Sequence, residues 1–130
     1  MNTYSYLILR FAVAASMFGH GLVRIPKLSN FSAWMVKSFE HSMMPPALVI
    51  PFSYLLPFGE LITGILLLLG LFTGQALILG GVIMIMLIFG TAIIENWDAI
   101  PSQLIHAAFF AVLLNFISSN RFALDHLFKK

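Results

Sequence analysis

The chain of 130 residues is 60% hydrophobic and only 9% charged, with a formal net charge of +2 and a mean hydropathy of +0.97. Soluble domains carry roughly 25% charged residues, so this composition predicts an integral membrane protein rather than a water-soluble enzyme. The chain has no cysteine, which excludes disulfides, thiolate nucleophiles and iron–sulfur ligation, and it has no basic block that would indicate nucleic-acid binding.

Four apolar segments are long enough to cross a bilayer, which needs about 20 apolar residues per helix. They are residues 4–23, 46–72, 75–94 and 101–118. The last three are joined by short turns around "TGQ" and "ENWDAI", which favours antiparallel neighbours. The sequence therefore predicts an all-α membrane protein, a single domain over residues 1–130 built as an up-down bundle of four transmembrane helices, with both termini on the same side.

The connector between the first two spans is the only long one. In "SNFSAWMVKSFEHS" the apolar residues Phe31, Trp34, Met35 and Phe39 recur at helical spacing. This pattern predicts a short amphipathic helix lying at the membrane interface, between transmembrane helices 1 and 2. An ordinary loop with a few aromatic residues is the alternative.

A few ionisable residues lie inside the predicted spans, where each costs about 2.5–3.5 kcal/mol on insertion scales. They are Arg10, His20, Glu60 and His106, with Gln103 as a neutral polar neighbour. Such residues usually face the interior of a bundle and pair with one another. We therefore expect them to lie between the helices.

Counting about 1.5 Å per residue from the side that holds the termini gives each of these residues a depth. Arg10 lies about 9 Å deep, Glu60 about 16 Å, His106 about 22 Å and His20 about 24 Å on this count. An arginine side chain can span most of the first interval, so we predict a contact between Arg10 and Glu60. Such a pair can be catalytic, or it can only fix which helix faces which.

The histidines allow two interpretations as well. His20 can bind a ligand or hydrogen-bond a backbone carbonyl at a close helix contact beside Gly21. His106 and Gln103 are three residues apart, so they share a helix face and can line a polar cleft. The motifs E-x-x-H and H-x-x-x-H do not occur around these residues, so neither a metal site nor a haem is expected.

Two stretches of the chain resemble signatures of the DoxX family of small four-helix membrane proteins. "LILRFAVAASMFGHGLVRIPKL" is similar to the family's first-helix signature, and "PFGELITGILLLLGLFT" to its second. "NRFALDHLF" resembles the short segment that ends family members. The resemblance extends over nearly the whole chain and carries Arg10, His20, Gly21 and Glu60 over as motif positions.

The resemblance implies a multi-pass protein of the bacterial cytoplasmic (inner) membrane with a link to redox chemistry. Relatives include the membrane subunit of thiosulfate:quinone oxidoreductase. On this basis Glu60, His20 and Arg10 are candidates for the proton and quinone chemistry, and His106 and Gln103 for a quinone cleft. Quinone is the expected cofactor. The expected partners are membrane lipid and either another membrane or redox protein or a second copy of the chain.

Two functions of different classes follow. In the first, the chain is a quinone-linked redox subunit, in which Glu60 accepts or relays a proton and a histidine hydrogen-bonds a carbonyl oxygen. In the second, it is a non-catalytic anchor, scaffold or assembly subunit of a larger complex, docked through the "FSAWMVKSFE" segment. A carrier of protons or small molecules is a third, weaker interpretation.

Overall fold

The computed structural model describes residues 1–128, which form helices and turns only. Helix α1 covers Thr3–Arg24, and a short 3₁₀ turn, Ile25–Lys27, joins it to α2, Leu28–Ser38. The Asn2 side chain caps the N-terminus of α1, because it accepts hydrogen bonds from the backbone N–H groups of Tyr4 and Ser5 at 2.8 and 3.2 Å. The predicted helix in the long connector is thus confirmed as α2, while its placement at the lipid surface stays a prediction.

Three further helices complete the chain: α3 covers Pro46–Leu69, α4 covers Thr73–Ile93 and α5 covers Ile100–Asn115. Four helical segments are long and apolar enough to cross a membrane, which confirms the predicted fold class. These segments are Thr3–Ser38, Pro46–Leu69, Thr73–Ile93 and Trp97–Asn115. Side chains such as those of Ile8, Leu55 and Ile85 remain more than 60% exposed, as lipid-facing groups would.

Helix α3 ends earlier than the apolar run of the sequence predicts. The predicted span continues to Phe72, but the helix ends at Leu69 because Gly70 adopts a left-handed conformation with φ of +66°. The N–H groups of Gly70 and Leu71 both bond the carbonyl of Leu66, which closes the last turn. Only glycine adopts this conformation without steric cost.

The helices form a ring in which α1 packs against α3, α3 against α4, α4 against α5, and α5 back against α1. The buried apolar core contains residues from every helix, including Tyr6, Met17, Leu67, Leu77 and Phe110. The contact of α1 with α3 is the closest. A Cβ atom on Gly21 would lie 2.6 Å from the Leu61 nitrogen, and one on Gly64 would lie 2.6 Å from the Phe18 Cα.

Helix α2 extends the first span along α3. The Ser53 hydroxyl of α3 donates a hydrogen bond to the Ser32 hydroxyl of α2 at 2.7 Å, and Met35 is buried in the core. The predicted apolar stripe is divided between two environments. Met35 and Phe39 face the bundle, whereas Trp34 is 58% exposed.

The C-terminal segment closes the other end of the bundle, near the start of α4. The Asp125 carboxylate accepts hydrogen bonds from the N–H groups of Phe72 and Thr73 at 2.6 and 2.9 Å, so it caps α4 from a distant part of the chain. Burial acts to raise the pKa of Asp125, but these hydrogen bonds and the nearby His126 outweigh it and lower that pKa. The Ser119 hydroxyl donates to the carbonyl of Met1 at 2.7 Å, so the first residue and the segment after α5 lie on one side of the bundle, as predicted.

Candidate functional site

Glu60 forms its ion pair with Arg24, the last residue of α1. The Arg24 Nη1 atom lies 2.7 Å from Glu60 Oε1, and the Glu60 side chain is only 3% exposed. The guanidinium of Arg24 also lies over the Phe31 ring, 4.6 Å from its centre. The predicted contact between Arg10 and Glu60 is therefore wrong, although the buried acid does meet a cation from α1.

The error comes from the register of α1 against α3. The depth count placed the helix ends in one plane, but the glycine contacts set Gly21 beside Leu61 and Gly64 beside Phe18. Glu60 is consequently level with the end of α1, within reach of Arg24. The N-terminal part of α1 extends past the end of α3, where the C-terminal segment packs against it.

Arg10 lies at that opposite end and does not reach Glu60. Its side chain is 2% exposed, and its Nη1 donates a hydrogen bond to Asn120 Oδ1 at 2.5 Å. The Asn120 amide in turn donates to the Thr73 hydroxyl at 3.0 Å. Arg10 thus ties the C-terminal segment to the start of α4, and this geometry gives it a structural contact rather than a place beside the acid.

His20 and His106 face each other from α1 and α5. Their ring centres are 6.3 Å apart and their planes are nearly perpendicular. His20 Nδ1 lies 2.6 Å from the carbonyl of Ser16, and His106 Nδ1 lies 2.8 Å from the carbonyl of Ser102. Because a carbonyl oxygen can only accept, both rings carry a proton on Nδ1.

The two Nε2 atoms differ in what they contact. The Ser16 hydroxyl lies 2.7 Å from His106 Nε2, and it donates to that nitrogen when the ring carries its single proton on Nδ1. Within residues 1–128, His20 Nε2 makes no such bond. His20 is therefore the histidine that has a ring nitrogen available for a ligand, and Ser16 links it to His106 through its carbonyl and its hydroxyl.

A cavity of about 300 Å³ brings these groups together between all five helices. Its polar lining contains Arg24, Glu60, His20, His106 and Gln103. Most of the remaining lining side chains are apolar, among them Met17, Phe31, Met35, Phe39, Phe52, Leu56, Met84 and Leu87.

Gln103 is held by one bond and keeps one polar atom free. Its amide nitrogen donates to the Thr91 hydroxyl at 3.0 Å. Its Oε1 atom is buried and has no hydrogen-bond partner among the described residues. A buried acceptor without a donor is costly, so a ligand hydroxyl or N–H at this point would compensate it.

The structure therefore brings Glu60, His20, His106 and Gln103 into one cavity and leaves Arg10 out. Arg24 is the residue that the sequence-based site missed. The sequence does carry a signal for it, because a turn of 100° per residue places Arg24 about 40° from His20 and about 60° from Gly21, on the same face of α1. Only the register of α1 against α3 shows that Arg24, and not Arg10, is the partner of Glu60.

Comparison with known proteins agrees with the architecture. No curated protein and no solved structure matches the chain. The family model described as DoxX matches residues 5–93, which contain α1 to α4 and therefore Arg24, Glu60 and His20. This match covers well over half of the chain, and the four-helix bundle is the fold that the sequence signatures predict. The chain belongs to the DoxX family.

Proposed function

We propose that this membrane protein binds a quinone head group in the cavity between its helices, as the membrane subunit of a redox system. The observation that carries the proposal is the convergence of Glu60, Arg24, His20 and Gln103 on one cavity whose walls are otherwise mainly apolar. Ligand sites are typically apolar clefts of about 300–1,000 Å³ with a few polar groups that orient the ligand. Such a lining suits a quinone ring, because the apolar walls can contact its flat faces and the polar groups can bond the oxygen atoms at its edge.

The free polar atoms suit both forms of a quinone. Arg24 retains N–H groups beyond the one that bonds Glu60 and can donate to a carbonyl oxygen. His20 Nε2, Gln103 Oε1 and the second oxygen of Glu60 can accept from the hydroxyl groups of a quinol. Donors and acceptors at one cavity would let the same site hold the oxidised and the reduced ring.

The acid and the histidine supply a route for protons. Reduction of a quinone to a quinol takes up two electrons and two protons, and oxidation releases them. In this proposal Glu60 and His20 exchange the protons with the ring oxygens. The electrons pass between the quinone and a partner oxidoreductase in a bacterial cytoplasmic membrane, in keeping with the family resemblance.

The test is to purify the protein in mild detergent from its native membrane and to analyse the intact particle and its extracted lipids by mass spectrometry. We expect a stoichiometric quinone in the wild type and its loss in Glu60→Gln and His20→Ala. Glu40→Gln is the matched control, because Glu40 is exposed outside the cavity. A wild-type particle without quinone, or a Glu60→Gln particle that retains it fully, would contradict the proposal.

A second candidate function, that of an anchor or scaffold subunit, rests on Trp34. This ring is 58% exposed and stacks on Phe31 at 5.8 Å, on the outer side of α2. Trp34 and Phe39 both line the cavity, but Phe39 is partly buried against the core, so of these two proposed docking residues only Trp34 is largely exposed. Release of a co-purified protein by Trp34→Ala, with quinone absent from the wild type, would favour this second function.

A further inference from the structure

A second cavity lies beside the first and differs from it in chemistry. It has a volume of about 280 Å³ and is formed by α2, the start of α3 and the end of α4. Every side chain in its lining is apolar. The lining consists of Met35, Phe39, Met44, Leu48, Val49, Phe52, Met86, Phe89 and Gly90. We call this second cavity the apolar groove.

The apolar groove adjoins the polar cavity. Five wall residues are shared between the two: Met35, Phe39, Phe52, Met86 and Gly90. The Phe39 ring lies at the junction, where its Cζ atom is 3.1 Å from the position that a Cβ on Gly90 would occupy. The absence of a side chain at Gly90 is what lets this ring lie against α4 between the two spaces.

The apolar groove opens toward the lipid-facing side of the bundle. Leu48, Met86 and Phe89 form its outer rim and are 57%, 48% and 63% exposed. Three methionines, Met35, Met44 and Met86, line it, and their unbranched side chains adapt to an irregular hydrocarbon. A space of this kind inside a bilayer is suited to an alkyl or isoprenoid chain.

We infer that the ligand is a long-tailed amphiphile whose apolar tail lies in this groove while its head group occupies the polar cavity. The inference rests on the proposed function and adds the class of quinone to it, namely one with a hydrocarbon chain that extends past Phe39 to the rim. The ligand enters sideways from the lipid, between the start of α3 and the end of α4.

The test compares two probes on the purified protein, a tail-less benzoquinone and the same ring with a decyl chain. The variant is Leu48→Ala/Phe89→Ala, which removes two of the three rim side chains. The matched control is Leu55→Ala/Ile85→Ala, because these residues lie on the same helices, are 68% and 65% exposed, and line neither space. The readout is the ratio of the affinities for the two probes, compared between each variant and the wild type. Partition of the decyl tail into detergent affects every one of these ratios equally and cancels in the comparison.

We expect the rim variant to lower the preference for the decyl probe by roughly threefold to tenfold, through lost van der Waals contacts, and the control to preserve it. If both probes bind and the rim variant keeps the wild-type ratio, the tail inference fails and the proposed function stands. If neither probe binds the wild type, both fail.

A second measurement on the wild type covers the case in which the rim variant does not fold. A decyl probe with a photoreactive group at the chain end is expected to label residues 44–52 or 86–90. Labelling confined to other segments would overturn the inference, as would a phospholipid that stays bound in the groove and is not displaced by the decyl probe.

Discussion

Gly21 on α1 lies directly against the backbone of Leu61 on α3, next to the ion pair of Arg24 and Glu60. A Cβ on Gly21 would be 2.6 Å from the Leu61 nitrogen and 2.7 Å from the Pro57 oxygen. Both are backbone atoms and cannot rotate away. This contact sets the register of the two helices and hence which arginine meets Glu60.

Gly21→Ala is therefore expected to destabilise the bundle by about 1–3 kcal/mol, because α1 and α3 must move apart to accept the methyl group. Unfolding by denaturant in detergent, followed by circular dichroism, measures the change. Gly19→Ala is the control, since nothing lies within 4 Å of its added Cβ. Equal stabilities for both variants would show that the contact does not hold the helices in register.

Arg24→Gln is expected to cost more stability than Glu60→Gln. Removal of the arginine leaves a carboxylate that is 3% exposed without its partner, and breaking a buried pair in this way costs about 3–5 kcal/mol. The double variant Arg24→Gln/Glu60→Gln should recover part of the loss. The measurement is a double-mutant cycle by denaturant unfolding. Arg121→Gln, at an exposed arginine, serves as the control. Additive effects of the two substitutions would contradict the pairing.

The Asp125 carboxylate that caps α4 should make the stability of the protein depend on pH. Because folding lowers the pKa of Asp125, its contribution is fully present above the pKa of the unfolded chain and is lost as the pH falls through the lower folded value. Asp125→Asn should therefore reduce stability at neutral pH and flatten its decline below about pH 4. Thermal unfolding across this pH range tests it, with the exposed Asp98→Asn as control. If Asp125→Asn had the same stability as the wild type at every pH, the Asp125 carboxylate would not stabilise the start of α4.

The histidine tautomers can be tested by ¹⁵N nuclear magnetic resonance on histidine-labelled protein. We expect His20 and His106 to carry the proton on Nδ1 when neutral, because both Nδ1 atoms face carbonyl oxygens. Ser16→Ala should shift the Nε2 signal of His106 and leave that of His41, a 94% exposed side chain, unchanged. A His106 signal insensitive to Ser16→Ala would show that the hydroxyl does not bond the ring.

The fold could be predicted because each transmembrane helix is a long apolar run. Such a run can be recognised from its own sequence, without knowing which helices pack against it. The end of α3 could not. The apolar residues continue through Leu71 and Phe72, but the helix ends at Leu69, after which Gly70 adopts a left-handed conformation. The start of α4 is capped by Asp125, which lies 53 positions after Phe72. A residue that acts from so far along the chain leaves no local pattern at the turn.

The members of the site could be predicted more readily than their pairing. Glu60, His20, His106 and Gln103 are polar residues in apolar runs, and their cost in a membrane selects them. Whether Arg10 or Arg24 pairs with Glu60 depends on the register of α1 against α3. That register is set by the close contacts of Gly21 and Gly64, which the sequence alone does not reveal. The apolar groove had no sequence signal at all, because its methionines and phenylalanines resemble those of any lipid-facing helix.

The cap on α4 has a consequence for the order in which the protein is completed during synthesis. Phe72 and Thr73 leave the ribosome well before Asp125, and 53 residues take roughly 3 to 10 s to add at typical rates of translation. During that interval the hairpin of α3 and α4 is inserted with the first turn of α4 uncapped. Arg10 likewise lacks its hydrogen-bond acceptor until Asn120 has been made. Assembly of this bundle is thus completed only after the segment that follows α5 has been made, because that segment joins the first helix to the start of α4.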